Sequence, residues 1–501
     1  MRLTIKHLLF IAGLPLLLAS CKKDLLDTVP ISFNADNNFY KTESDFDKAI
    51  SGVYNKLLSF PDINNIYLSE CRSSNFYIPR QSAQRDYFNI SGFEVTSQLA
   101  TLQTAWGNDY ALIGRANELL DKITPFTYTD STKKKRIMGE ARFLRALAYF
   151  ELVKAFGAVP LIDHQISSTD AFNYPRVGID TIYNFIVNDL TYASTVLPSS
   201  YTGADIGRAT QWAALGMLGK AYLFMAGYPL NKTANFANAQ TVLKQVLNAE
   251  NTGWKFAVNY SDLFKTANDN KYNLFEVQYI SGGTGLGSVI PGEGVPLDVD
   301  KNLMPYGYYY IAGSDFASDD LIGSYEPGDK REYLTLDTIY RNTAHVYVKQ
   351  KWFKKFLDST AISTMTSSSD WGINFPLLRG EDAMLMYCEA VNETSNGPTA
   401  ETIALVNRIR TRANLPNLAD SATASHDAFK LALEHERRSE FAWEGLYWWD
   451  LVRTGRCLAV MNPWLQTNYQ KTIDATQFIY PVPMSEMLIK PGLYYQNPGY
   501  D

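Results

Sequence analysis

The chain has 501 residues, 46% of them hydrophobic and 20% charged, with 52 acidic against 46 basic side chains. That length and apolar share predict two or three domains, or one extended array, around a sizeable core. The slight acidic excess argues against nucleic acid or an anionic bilayer as the main partner.

Met1–Ser20 carries Arg2 and Lys6, then the apolar run Leu8–Leu18, then Leu18-Ala19-Ser20-Cys21. A basic start, an apolar stretch too short to span a bilayer and a small-residue cleavage site read as a signal peptide over 1–20. Leu-Ala-Ser-Cys resembles a bacterial lipobox, which makes Cys21 the expected lipid attachment site. Each buried methylene contributes about 0.8 kcal/mol, so several acyl chains anchor a protein essentially permanently. The competing reading is an ordinary cleaved signal with a chance cysteine. Residues 21–38 read as a lipidated polar tether, and no later apolar run is long enough to span a membrane.

Amphipathic spacing then predicts helices in pairs. They cover Ser44–Leu58, Leu99–Ile123, Thr132–Phe156, Ile179–Leu197, Thr210–Ala226, Phe236–Ala249, Asp382–Asn392, Ala400–Arg412, Ala428–Arg453 and Cys457–Met461. In Thr132–Phe156, Ile137, Ala141, Leu144, Ala148, Leu152 and Phe156 fall on one face, Gly157 caps the end and Pro160 stops continuation. Hairpins of about 34 residues with small contact residues, such as Gly216 and Gly219, resemble tetratricopeptide units. The fold expected is mainly α, a tetratricopeptide-like helical-hairpin superhelix. Its scaffold covers 39–270 and 380–501, and 271–379 forms an irregular insertion with short strands at Asn273–Tyr279 and Ala344–Val348.

Cysteine and histidine usage removes several enzyme classes. Beyond Cys21, only Cys71, Cys388 and Cys457 remain, at spacings that specify neither a disulfide framework nor a zinc site. His435-Glu436-Arg437-Arg438-Ser439 lacks the second histidine of a zinc-protease helix, and Gly283, Gly285 and Gly287 do not make a dinucleotide fingerprint. Neither a metal nor another cofactor is expected.

Five segments, taken in order, resemble the SusD/RagB family of surface lipoproteins. They are Glu140–Ile162 with its Gly157-Ala158-Val159-Pro160-Leu161 exit, Arg208–Tyr222, Gly380–Ala390, Glu434–Arg453 with Trp448-Trp449-Asp450-Leu451, and Tyr480–Tyr500. The resemblance implies a non-enzymatic, glycan-binding lipoprotein of the outer membrane, exposed at the cell surface. It also implies a SusC-like TonB-dependent transporter as partner, on which the protein acts as a hinged lid. A surface glycoside hydrolase is the rival reading, and a non-sugar ligand such as a peptide is a third. The motif charges Arg142, Arg145, Glu381, Glu389, Glu436, Arg437, Glu440 and Glu444 read as a structural lattice of buried ion pairs.

The ligand site is therefore expected in the irregular segments, meeting at one face. Aromatic residues make up 13% of the chain, with 32 Tyr and 9 Trp, and such rings suit the C–H face of a pyranose. The candidates are Asn75, Tyr77, Arg80, Arg85 and Tyr87 in the first segment and Tyr306, Tyr308 and Tyr310 in the second. Trp371 joins them because it stands in a polar loop. The competing view is that Tyr306–Tyr310 only packs the insertion onto the scaffold.

Overall fold

The computed structural model describes residues 39–79, 85–302, 304 and 316–500, with Arg85 described in its backbone alone. Tertiary contacts divide the chain into two compact units, Met1–Lys48 and Ala49–Asp501. In the first, the Thr42 amide and hydroxyl each donate to Asp45 at 2.9 Å, and the Tyr40 ring lies 5.2 Å from Phe46. These contacts start helix α1, Glu43–Tyr54. The signal, Cys21 and the tether lie outside the described residues.

The second unit is mostly helical. It contains α2 (Arg85–Ser91), α3 (Ala100–Ile123), α4 (Ser131–Phe156), α5 (Ile179–Val196), α6 (Gln211–Ala226) and α7 (Asn235–Asn248), followed after a long interval by α8 (Gly380–Ser395), α9 (Ala400–Arg412), α10 (His426–Phe441), α11 (Tyr447–Arg453) and α12 (Cys457–Tyr469). Each of α3 to α7 packs on the next, α7 packs on α8, and α8 packs on α9 and α10. This is the tetratricopeptide-like series of helical hairpins that the spacing predicts.

Local chemistry sets the ends of α4. Asp130 caps it by accepting from the amides of Thr132 (2.8 Å) and Lys133, and Gly157 closes it at φ +71°, where a side chain would be strained. The spacing predicts one apolar face on this helix. In the structure Glu140, Arg145, Glu151 and Lys154 are buried as well, because α3 and α5 cover it from two sides. Close approach explains the small residues of α6: a Cβ on Gly219 would stand 2.5 Å from Leu243 of α7, and one on Gly216 would stand 2.6 Å from Leu378.

The interval between α7 and α8 returns to its starting point. Strand β3 (Asn273–Val277) pairs antiparallel with β6 (Phe375–Arg379), Asn273 opposite Arg379, so the insertion is closed at its base by one ladder. Within it, β4 (Leu336–Arg341) and β5 (Tyr347–Phe353) form a hairpin, so the strand expected at Ala344–Val348 begins only at Tyr347. A further ladder joins β1 (Val159–Pro160) to β2 (Arg176–Val177).

One helix expectation fails: 428–453 is two helices. Trp443 (φ +65°) and Gly445 (φ +74°) turn the backbone between them. Their amides donate to the buried Glu70 carboxylate at 2.9 and 3.0 Å, which satisfies the corner's freed backbone groups. The last predicted helix, Cys457–Met461, runs on to Tyr469.

The motif charges form an interior network. Arg379 bridges Glu440 (2.8 Å) and Glu444 (2.9 Å), and Arg412 joins Glu381 to Glu440. Arg331, from the insertion, reaches Asp329, Glu436 and Glu440, and Lys355 reaches Glu444 at 2.6 Å. Arg437 binds Asp382 and Asp450, while Arg453 binds Glu389 and Asp450. Burial alone would raise the pKa of Glu440, but Arg412, Arg379 and Arg331 hold it well below the usual carboxylate range. Arg142 is not part of this lattice: its side chain is 33% exposed, stands 4.0 Å from Asp189 and lies over the Tyr192 ring. Arg145 is the buried partner, donating to both Asp189 oxygens at 2.8 and 3.0 Å.

Candidate functional site

The two irregular segments do meet. Residues 75–77 run antiparallel to 316–318, with Tyr77 N–H donating to Phe316 O at 2.9 Å and Ser318 N–H to Asn75 O at 3.0 Å. Beneath them lies a ladder of stacked rings. Tyr67 is 4.3 Å from Tyr87, Tyr87 is 5.7 Å from Phe76, Phe76 is 6.5 Å from Trp443, and Trp443 is 4.1 Å from Phe353. This stack gives the face a stiff floor.

That packing reassigns three of the expected ligand residues. Asn75 is fully buried; it donates to Glu70 at 3.0 Å and accepts from Arg438 at 2.8 Å, which fixes the segment to α10. Tyr87 is enclosed between Tyr67 and Phe76, and its hydroxyl donates to Glu293. Trp371 is also fully enclosed, against the expectation of an accessible ring. Its backbone pairs with Ser288, and the carboxylate of its neighbour Asp370 collects the amides of Gly282, Gly283 and Thr366 at 2.9–3.0 Å, so the polar loop is tied inward rather than left open. None of these three side chains offers an open face for stacking.

Tyr77 keeps a partly exposed ring, 5.6 Å from Tyr469. The Tyr469 hydroxyl donates to Ile78 O at 3.0 Å and accepts from its amide at 3.3 Å, which holds the loop beside the ring. Arg80, Tyr306, Tyr308 and Tyr310 lie outside the described residues. Arg85 opens α2, and its side chain is likewise outside them. What the described residues show is that 77 is bonded to 316.

Sequence reasoning missed Tyr67, Tyr469, Asp62 and Glu293. Burial raises the pKa of both Asp62 and Glu293, and the charge of Asp62 raises Glu293 further. Asp62 Oδ1 is buried without a hydrogen-bond partner. Nothing in the local sequence marks these two as neighbours, because 231 positions separate them. Among the described residues no cluster of three or more His, Cys, Asp or Glu side chains could hold a metal ion. Cys71, Cys388 and Cys457 are buried free thiols, and burial pushes all three upward in pKa, Cys457 to about 12.

A face with half-open tyrosines over a rigid aromatic floor can stack on a ring-shaped polar ligand and bond its edge. The model of the SusD family matches residues 299–500, and one described as starch-binding, associating with the outer membrane, matches residues 28–223. A SusD-like protein of Bacteroides ovatus is 27% identical over 479 residues, covering 91% of this chain and 84% of that protein. A SusD superfamily structure from Parabacteroides distasonis superposes with a TM-score of 0.78 at 24% identity, covering 92% of this chain and all of that one. A laminarin binding SusD-like protein superposes at 0.76 with 25% identity, again over 92% of this chain and 100% of its own.

Proposed function

Since the chain belongs to the SusD-like family, whose members are glycan-binding proteins, we propose that it captures oligo- or polysaccharide on the face built from residues 75–79, 316–318 and Tyr469. The observation that carries this is the joining of the two irregular segments by backbone hydrogen bonds above a stacked aromatic floor, with Tyr77 left partly open. Stacking gives affinity for a pyranose without consuming it, which suits a protein that hands its ligand on. In this reading Cys21 carries the lipid anchor at the cell surface and a SusC-like TonB-dependent transporter receives the glycan. Arg80, Arg85, Tyr306, Tyr308 and Tyr310 complete the face.

Asp62 and Glu293 favour a second reading, hydrolysis of the bound glycan, because glycosidases use paired carboxyl groups. That chemistry needs one acid and one base, with environments that drive their pKa values apart. Here both are pushed the same way. Binding without turnover is therefore the preferred function.

The test is calorimetry on the Cys21→Ser chain with laminarin, starch and a wider glycan panel, with reducing ends assayed in parallel. Saturable binding without release of reducing ends is expected. Tyr77→Ala should weaken it by at least about 2 kcal/mol while the melting temperature holds. Unchanged affinity in that variant would remove the loop face as the site, and new reducing ends would favour the hydrolase.

A further inference from the structure

A cleft of about 420 Å3 opens between α3, the turn around residues 160–171 and the C-terminal segment at Glu486 and Tyr494. It shares no residue with the loop face. Three rings form its walls: Trp106 lies 5.3 Å from Tyr110 and 6.3 Å from Tyr494, tilted by 43° and 52°. The Tyr110 hydroxyl donates to Pro160 O at 2.7 Å, which fixes that ring relative to the turn.

The polar lining is Glu118, Glu486, Gln165 and His164, with no Lys or Arg among the lining residues; the His164 ring is already engaged by Asp163 at 2.7 Å and by the Tyr174 hydroxyl at 3.1 Å. Glu486 accepts only a long hydrogen bond, 3.3 Å, from the Ser485 hydroxyl, and no cation pairs with it among the described residues. Burial raises its pKa, as expected for a half-enclosed carboxyl lacking a counter-charge. Aromatic faces beside two carboxyl groups attract a ligand with an apolar ring face and N–H or O–H donors on its edge. An anionic substituent would meet two carboxylates, and no Lys or Arg lines the cleft to offset them. The volume falls within the range of small-molecule sites, and the mixed lining and concavity differ from the dry centre of a protein interface.

We propose that this cleft is a saccharide-binding site separate from the loop face, taking a pyranose that carries hydroxyl or amino donors and no anionic substituent. Its walls come from α3 and the C-terminal segment, so it stands or falls independently of the loop-face assignment. A chain with two such sites would hold a long glycan at two points and gain avidity without new contacts.

The experiment is calorimetry of the Cys21→Ser chain with four probes: laminarihexaose, maltohexaose, a glucosamine hexamer and hexagalacturonate. Tyr494→Ala, the conservative Glu486→Gln and the loop-face variant Tyr77→Ala are run alongside. A neutral or amino probe should show a binding event that Tyr494→Ala weakens by roughly tenfold or more, or 1.4 kcal/mol, and that Tyr77→Ala leaves intact. Preference for the glucosamine hexamer, reduced by Glu486→Gln, would identify the amino donor; equal binding of neutral probes would identify the hydroxyls. A single event lost in Tyr77→Ala and unchanged in Tyr494→Ala would overturn the second site and leave the loop face standing. Hexagalacturonate binding at the cleft as tightly as the neutral probes would overturn the ligand class, and no binding by any probe would overturn both sites.

Discussion

Exposure decides what each motif charge contributes. Arg142 and Glu389 belong to the same kind of family segment, yet Glu389 is buried and holds Arg453 through both oxygens, whereas Arg142 is a third exposed and only 4.0 Å from Asp189. Removing Glu389 strands a buried guanidinium, so Glu389→Ala should cost about 3–5 kcal/mol in urea unfolding. Arg142→Ala should cost less than about 1 kcal/mol, as for other screened surface pairs. Asp62 gives a pH signature of the opposite kind. Its folded pKa is raised by burial, so the folded state binds the extra proton, and stability is fully present below the ordinary carboxylate value near 3.8 and falls as pH rises through the folded value. Asp62→Asn should therefore match the wild type near pH 4 and become the more stable protein toward pH 9. Melting temperatures measured across that interval check it; a variant that is less stable at every pH would show that the carboxyl is needed for structure.

At the scale of elements, the corner between α10 and α11 matters most, because it converts one predicted helix into two and delivers Trp443 to the aromatic floor. Gly445 is indispensable there on two counts: its φ is +74°, and a Cβ would stand 2.2 Å from Asn65 O. Gly455 has the same φ of +74°, but nothing lies within 4 Å of its would-be Cβ. The pair separates strain from clash. Gly455→Ala should cost about 1 kcal/mol, from backbone strain alone, and Gly445→Ala distinctly more. Equal losses in thermal unfolding would show that the close approach of Asn65 is relieved by small shifts. The periodicity of 428–453 is compatible with one helix throughout. What stops it is Glu70, 373 positions away, offering its carboxylate to the corner amides.

At the scale of the whole molecule, the insertion is bound into the scaffold through charge. Arg331 and Lys355 come from it, and Glu436, Glu440 and Glu444 receive them. Any hinge that moved the insertion as a body would have to break pairs in a dry interior, so the ligand face and the helical scaffold should move together. The lipid anchor proposed at Cys21 is a separate matter, since the second compact unit begins at Ala49. Cys21→Ser should release the protein from the membrane fraction with its melting temperature unchanged. A mutant that stays in the membrane pellet after carbonate wash would exclude the lipid anchor.

The amino-acid sequence by itself determined the helices from α3 to α9, because apolar spacing and end signals such as Asp130 and Gly157 act within a few residues. It also determined that the motif charges needed partners, since a charge in an apolar helix has no local way to be solvated. Only the tertiary structure decided which partner each one takes: Arg438 meets Asn75 across 363 positions, and Arg379 meets Glu440 across 61. The same holds for the site. Asn75, Tyr87 and Trp371 have the chemistry of ligand residues, but accessibility is a property of what lies above a side chain, and local residue type carries no record of it. Tyr67 and Phe76 enclose Tyr87, while the cleft walled by Trp106 and Tyr494 joins residues 388 positions apart that no spacing rule connects.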